Sequence, residues 1–502
     1  MPSTAIVTVL AVCVLIALGG CASYAGIAPV AQQVKPTALG LGVGAGARLE
    51  ASATASIAID TDWWRDFADP TLNDLIERAL SDHPSLKIAQ ARIKRAEAAA
   101  LSAQAADGLQ INGSLDATRQ RFSENSIYPP PLGGSVRTIA TAQVGASYEF
   151  DFFGRNQAAI KAAIGTQRAA QADLHAARIV LASTVARSYV QLGRLFEQRE
   201  VAVRTLTQRD ETLLLIKQRV QSGLDTNVEL RQGEAALPES RQLIEQLDEQ
   251  IMLTRHALAA LTAQAPLALN ALVASLRSLQ TIVLPAALPA DLLGRRADIS
   301  AARWRIEAAT SDITSAKAQF YPNINLTAFV GLSSIGLNQL IGTGSEQWGA
   351  GPALRLPIFD SGRLRANLRG KTADLDAAIE SYNTVVLDAV HDAADQIGSL
   401  RAMALQQVQQ ASAQTAMESA YDLAGQRFKA GLSTYLIVLN AESNLLNQRR
   451  QAVDLKARVL DVQIALIRAL GGGYRADLIA DNAPDGTTAG AAEKISVRPI
   501  SR

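Results

Sequence analysis

Residues able to do covalent or metal chemistry are few in this 502-residue chain and poorly placed for it. The four histidines, His83, His175, His256 and His391, are scattered. No two stand one helical turn apart, as two ligands on a helix face would need to. No glycine-rich loop runs into Lys-Ser or Lys-Thr, so no phosphate cradle for a nucleotide is encoded. Asp and Glu are common but interleave with Lys and Arg, the pattern of solvated helix faces. Arg295-Arg296 is a concentrated basic pair, with Asp291 and Asp298 close enough to neutralise it. The expectation is no catalytic residue, no metal and no enzymatic activity.

The two cysteines are Cys13 and Cys21, so no disulfide can staple the body. Ala5 to Leu18 is almost wholly apolar, the length of a signal-peptide core and too short to span a bilayer comfortably. Leu18-Gly19-Gly20-Cys21 resembles the lipobox of bacterial lipoproteins. The resemblance implies a signal peptide at 1–20, cleavage before Cys21 and a lipid on its thiol, the one covalent group expected. An ordinary secretory signal with an incidental cysteine is the alternative. Residues 21–60, rich in Ala, Gly, Ser and Val, then form an extended tether. Composition bounds the rest. With 48% hydrophobic and 19% charged residues the chain is not disordered. A net charge of +1 gives no electrostatic case for nucleic acid.

The body is organised by a duplication. Phe153-Gly154-Arg155 is followed by a long proline-free run and then Gly223-Leu224-Asp225-Thr226. Ser361-Gly362-Arg363 is followed by another such run and then Gly431-Leu432-Ser433-Thr434. The offset is 208 residues at both markers (362 − 154 and 431 − 223), and an arginine precedes each turn, Arg219 and Arg427. Matching punctuation at equal spacing means an internal repeat. The first copy covers 61–265: a helix to about Ala106, a β-hairpin at 108–153, a long helix at 156–222 and a return helix at 226–263 interrupted by Pro238. The second covers 289–472: a helix, a hairpin at 322–359, a long helix at 363–430 and a return helix at 434–470. A linker at 266–288 joins them, and a Gly/Ala/Thr-rich tail at 473–502 is expected to be disordered.

Period-two alternation defines the hairpins. Leu109, Ile111, Leu115 and Ala117 alternate with Gln110, Asn112, Ser114 and Asp116; Ala142, Val144, Ala146 and Tyr148 alternate with Thr141, Gln143, Ser147 and Glu149. Ile324, Leu326, Ala328 and Val330, then Trp348, Ala350 and Leu354, repeat the pattern. Strands this long with one apolar face suit a membrane barrel. The edge of a β-sandwich fits less well beside helices of roughly 100 Å, the length of 67 residues at about 1.5 Å each. Apolar spacing of three and four from Val185 to Val220 predicts a coiled-coil seam. Gly223 and Gly431 read as left-handed helix caps. Thr226-Asn227-Val228-Glu229 reads as a capping box, and Ser433 or Thr434 can cap the second restart. Four strands cannot close a barrel, so subunits must combine; two or three copies both give permitted numbers.

Longer motifs carry a family resemblance: Leu288-Pro289-Ala290-Asp291-Leu292-Leu293-Gly294-Arg295-Arg296, Gln319-Phe320-Tyr321-Pro322-Asn323, Pro357-Ile358-Phe359-Asp360-Ser361-Gly362-Arg363, and Asp62-Trp63-Trp64 with Asp69-Pro70. Together they resemble the TolC-like outer-membrane efflux proteins, lipoprotein branch, over roughly residues 60–472. The resemblance implies an α+β membrane protein: a homotrimer whose twelve-stranded transmembrane barrel continues as a coiled-coil α-helical barrel into the periplasm. It would act as a passive outer-membrane duct for small toxic compounds, supplied by a resistance-nodulation-division pump in the inner membrane through a periplasmic adaptor. A protein-secretion channel or a structural periplasm-spanning lipoprotein are the alternatives. Gly223, Leu224, Asp225, Thr226, Gly431, Leu432, Ser433 and Thr434 would form the periplasmic mouth and the adaptor-docking tips. Arg219, Arg427 and Lys429, with Asp225, would be charges that hold the mouth closed.

Overall fold

Long stretches without proline, rich in alanine and with apolar residues three and four apart, fold as two helices of 67 residues each. In the computed structural model, which describes residues 23–35, 39, 59–125, 127–282 and 294–475, these are α3 (Arg155–Gln221) and α6 (Arg363–Lys429). The elements in order are α1 (Pro70–Asp82), α2 (Pro84–Ala106), β1 (Gln110–Arg121), β2 (Val136–Phe150), α3, α4 (Asn227–Leu261), α5 (Ala297–Ala318), β3 (Asn323–Ile335), β4 (Glu346–Arg355), α6 and α7 (Tyr435–Ala469). The bounds of α6 and α7 repeat those of α3 and α4 at the same offset of 208 (363 − 155 and 435 − 227). Near the sheet, α2 packs on α3, and α5 packs on both α3 and α6. Beyond them α4 and α7 take over, α4 against α3 and α7 against α3 and α6. Each long helix therefore has short partners over both halves of its length. Among the described residues no helix is long and apolar enough to cross a membrane.

Several expectations need correction. The helix before the first hairpin is two helices. His83 is extended (ψ 129°) because it precedes Pro84, which disfavours helical geometry at the residue before it. Pro84 then starts α2, and the Ser85 N–H donates to His83 Nδ1 at 3.2 Å. Pro238, in contrast, does not interrupt α4, which runs through it. Leu237 and Ser240 on either side are buried against α3, and Arg209 Nη1 donates to the Ala236 carbonyl (3.0 Å) and Ser240 Oγ (3.0 Å). Packing outweighs the missing N–H.

The linker at 266–288 is not a loose connector over the part described. Ala274, Leu276 and Leu279 are buried in the main core with Trp63, Phe67, Leu72, Tyr189 and Leu192. Asp69 explains the docking. Buried at the start of α1, its carboxylate accepts the N–H groups of Thr71 (2.9 Å) and Leu72 (3.2 Å), the Tyr189 hydroxyl (3.0 Å) and the Ser278 hydroxyl (2.7 Å). A buried carboxylate needs such partners, and meeting them joins three segments. The tail also starts later than expected, since Tyr474 is buried with its hydroxyl on Ser300 Oγ at 3.0 Å. The signal segment 1–20, Cys21, much of the tether, residues 283–288 and the tail beyond 475 lie outside the described residues.

Candidate functional site: the two-faced sheet and the helical tips

The four strands form one antiparallel sheet in the order β1-β2-β3-β4. Register decides which side chains share a face. Gly113 pairs with Val144, Val144 with Val330, and Val330 with Trp348; Leu115, Ala142 and Leu332 form the next row, and Ile111, Ala146, Ala328 and Ala350 the row on the other side. The alternation of each strand is thus in phase with its neighbours, and one face is apolar from these rows to the helix end of the sheet; toward the loops Glu346, opposite Leu332, and Ser334, opposite Ala140, bring polar groups onto it. Ala140, near the loop end, is buried, but along the middle of the face no described residue covers it: Val144 is 50% exposed, Val330 63%, Leu115 76% and Trp348 81%. On the opposite face Ser114, Gln143, Gly331 and Gln347 make a row. There Gln347 Nε2 donates to Gln143 Oε1 (3.5 Å), and the Thr141 and Ser333 hydroxyls meet at 3.5 Å. Phe329 is an exception missed in the sequence, an aromatic on the polar face. Gly349 opposite makes room: a Cβ there would sit 2.7 Å from the Phe329 ring.

Strands of ten to fifteen residues, at about 3.3 Å each, are long enough to carry a tilted apolar band of roughly 25 Å. Aromatic side chains gather where the strands meet the helices. Tyr148 and Phe150 pack edge to face at 5.1 Å, Phe153 stacks on Tyr321 at 4.6 Å, and Phe152 and Phe359 are 68% and 86% exposed. Such a belt marks a membrane–water interface. Among the described residues β1 and β4 have no outer neighbour, and every residue of β1 is exposed. Two open edges and an uncovered apolar face cannot stand in water or lipid unpaired.

At the far end both long helices close with the same backbone motif. Leu224 N–H donates to the Arg219 carbonyl (2.9 Å) and Gly223 N–H to that of Val220 (3.0 Å); Leu432 and Gly431 bond likewise to Arg427 (2.8 Å) and Phe428 (3.0 Å). Gly223 and Gly431 have φ of +72° and +76°, where only glycine is unstrained. The first restart has its capping box: Thr226 accepts from Val228 N–H (3.1 Å) and Glu229 accepts from Thr226 N–H (3.0 Å). The Thr226 hydroxyl also donates to the Glu229 carboxylate, and that bond, together with the backbone N–H groups, holds the Glu229 carboxyl below its ordinary range. The second restart differs from expectation. Neither candidate caps α7: Thr434 makes no side-chain cap bond, and Ser433 Oγ is buried without a partner. Ile437 stands where Glu229 stands in the first copy, so the reciprocal acceptor is missing.

The tip charges are also unequal. Arg219 does not stand free at the end of the molecule. Its guanidinium grips Asp225 through two bonds (2.8 and 3.0 Å), donates to the Phe428 carbonyl (3.2 Å) and lies 4.7 Å from the Phe428 ring centre. The hydrogen bonds to Asp225 raise its pKa above the ordinary arginine value. One residue thereby ties the end of α3 to the end of α6. At the equivalent positions of the second copy stand Arg427 and Ser433, and without a carboxylate Arg427 and Lys429 are exposed. Leu224 and Leu432 project at 67% and 70% exposure. Sequence reasoning placed Arg219 near Asp225 but missed Phe428, which is 209 residues away in the chain.

A second cross-link was missed entirely. About three turns above the tips, Arg209 of α3 bonds Glu442 of α7 (3.0 Å), with side chains 11% and 9% exposed. Burial raises the Glu442 carboxyl above its ordinary value, and Arg209 opposes that only in part. Also unforeseen is the course of the N-terminal segment along α6. Arg365 donates to the Ser23 and Ala25 carbonyls. Asp376 Oδ1 accepts from the Val30 and Ala31 N–H groups (2.9 Å each), and Asn383 bonds Val34 N–H (2.8 Å) and the Gln32 carbonyl (2.9 Å). Arg296 does pair with Asp298 (3.0 and 2.6 Å), as its position suggested, and also donates to the Ala469 carbonyl (3.0 Å).

Known proteins share both the sequence and this geometry. The family model described as outer membrane efflux protein matches residues 75–264 and 288–472, one segment in each copy. The fusaric acid resistance protein FusA of Burkholderia cepacia is 37% identical over 374 residues, 74% of this chain and 69% of that protein. The multidrug resistance outer membrane protein MdtQ of Escherichia coli O6:H1 is 34% identical over 429 residues, 83% of this chain and 88% of that protein. Among solved structures, the outer membrane protein VceC of Vibrio cholerae superposes with a TM-score of 0.78 at 35% identity, covering 83% of this chain and all of VceC. The outer-membrane channel OprN gives 0.78 at 26% identity, covering 89% of this chain and 97% of OprN. With its duplicated long helices, its two-faced sheet and a family match over both copies, the chain belongs to the outer membrane efflux protein family.

Proposed function

We propose that this outer-membrane efflux channel is the passive exit duct of a tripartite system for small toxic compounds, working as a lipid-anchored homotrimer. The observation that carries the proposal is the sheet: four strands in phase, one apolar face uncovered, and a free edge on each side. Pairing β4 of one copy with β1 of the next removes both edges. Three copies close a twelve-stranded barrel whose polar face, with Gln143 and Gln347, lines water. The names of FusA and MdtQ, resistance proteins for fusaric acid and for multiple drugs, favour small molecules over secreted proteins. Solutes would arrive from a resistance-nodulation-division pump through a periplasmic adaptor docked at Gly223–Thr226 and Gly431–Thr434. In support of the anchor, Ser23, two residues after Cys21, is held by Arg365 beside the aromatic belt.

Cysteine substitution tests the docking. Leu224 and Leu432 are the positions to use, because Asp225 is committed to Arg219. Leu224→Cys and Leu432→Cys should each cross-link to the adaptor in cells, and Tyr128→Cys in the opposite loop should not. Cross-linking at Tyr128 with none at the tips would reverse the assigned orientation.

A further inference from the structure

Where the sheet hands over to the helices there is a cavity of about 460 Å³. Three arginines line it: Arg155, Arg355 and Arg363. Their roles differ. Arg155 is neutralised by Glu149 at 2.7 Å. The other lining acid, Asp151, accepts the Gln157 N–H at 2.9 Å and so caps the start of α3. Asp360, next to Arg363, caps α6 instead, through the N–H groups of Gly362 (3.0 Å) and Leu364 (2.8 Å). Arg355 and Arg363 are exposed and form no ion pair with any described residue. Among the described residues, therefore, two of the cavity's cations have no ion-pair partner of their own.

Two further features of the lining point to a ligand. Asn323 Oδ1 is buried without a hydrogen-bond partner. An orphaned buried amide is costly, and rotating it presents either its acceptor or its N–H groups to an occupant. Phe153 and Tyr321 stack on one another yet remain 44% and 41% exposed, so their outer faces offer an apolar surface. Arginine is suited to planar, two-point recognition of carboxylate and phosphate.

We propose that this cavity is a binding site for an organic anion: a carboxylate or phosphate held by Arg355 and Arg363, with an apolar body against Phe153 and Tyr321. Two sources supply that chemistry, a solute in the duct and the headgroup of a membrane phospholipid at the aromatic belt. The first copy has no such site of its own. The position equivalent to Arg355 is Ser147, and the counterpart of Arg363 is the already paired Arg155.

The full-length protein in non-ionic detergent would be titrated by equilibrium dialysis with radiolabelled salicylate, and separately with its neutral analogue 2-hydroxybenzyl alcohol. Salicylate should bind saturably, one per chain, and at least roughly tenfold more tightly than the alcohol. Arg355→Gln and Arg363→Gln, each checked for wild-type oligomer migration, should weaken it by a similar factor. Binding should also weaken as salt rises, since the arginines are exposed. The alcohol and salt arms need no variant, so a misfolded mutant leaves the test intact. Repeating the titration in nanodiscs distinguishes the sources. Salicylate displaced by phosphatidylglycerol but not by phosphatidylcholine assigns the site to a lipid headgroup; salicylate retained in both assigns it to a soluble anion. Equal binding of salicylate and the alcohol, or unchanged binding in both arginine variants, overturns the proposal.

Discussion

Val144 is the position at which the sheet's assignment is most exposed to refutation. It lies near the middle of β2, in the row Gly113, Val144, Val330, Trp348, inside the apolar band. Val144→Lys places an ammonium on the lipid face at the level where a barrel tolerates it least, about 2–4 kcal/mol per site. In the proposed trimer the barrel carries three copies, so the cost approaches 6–12 kcal/mol, comparable to the whole stability of a typical domain. Gln143→Lys, one residue away on the polar face, gives up a single long hydrogen bond to Gln347 (3.5 Å) and should cost about 1 kcal/mol or less. Heat-modifiability gels on outer membranes and urea titration in lipid vesicles measure the difference. Val144→Lys should lose most of the folded, heat-modifiable species, and Gln143→Lys should keep it. Equal damage from both, or the reverse order, would refute the assignment of lipid and water faces.

Other outcomes follow from the cross-links and the anchor. Asp225→Ala strands the Arg219 guanidinium, which is only 12% exposed. Breaking a buried pair costs about 3–5 kcal/mol; with the Phe428 carbonyl and ring still in place, about 2 kcal/mol is expected. Faster hydrogen exchange at the ends of both α3 and α6 should report it, whereas a change confined to α3 would deny the link to Phe428. Because the Glu442 carboxyl is raised by burial, the folded protein binds that proton more tightly than the unfolded chain. The stability it contributes is present below the unfolded value and lost as pH rises through the raised one. Glu442→Gln should therefore flatten the pH dependence of thermal unfolding above roughly pH 4.5, and an unchanged slope counts against burial as the cause. Cys21→Ala should abolish palmitate labelling, and labelling equal to wild type would rule out the proposed anchor.

The sequence by itself determined the periodic and the local. The duplication was legible because the turn glycines recur at equal spacing, and only glycine serves at φ near +70°. The faces of the strands were legible because side chains alternate with a period of two. The Thr226–Glu229 capping box was legible because both partners lie within one helical turn. Tertiary structure alone decided what depends on partners distant in the chain. Pro238 reads as a break until Leu237 and Ser240 are seen buried on α3. Residues 274–279 read as linker until Asp69, which needs partners inside the core, takes the Ser278 hydroxyl. Arg219 and Arg427 look alike in the two copies, yet one is locked between Asp225 and Phe428 and the other is exposed, because a serine stands where the carboxylate would be. The pairing of Arg209 with Glu442, and the gathering of Arg355, Arg363 and Asn323 around one cavity, join residues from separate elements. No spacing rule connects them; only the packing of the elements against one another does.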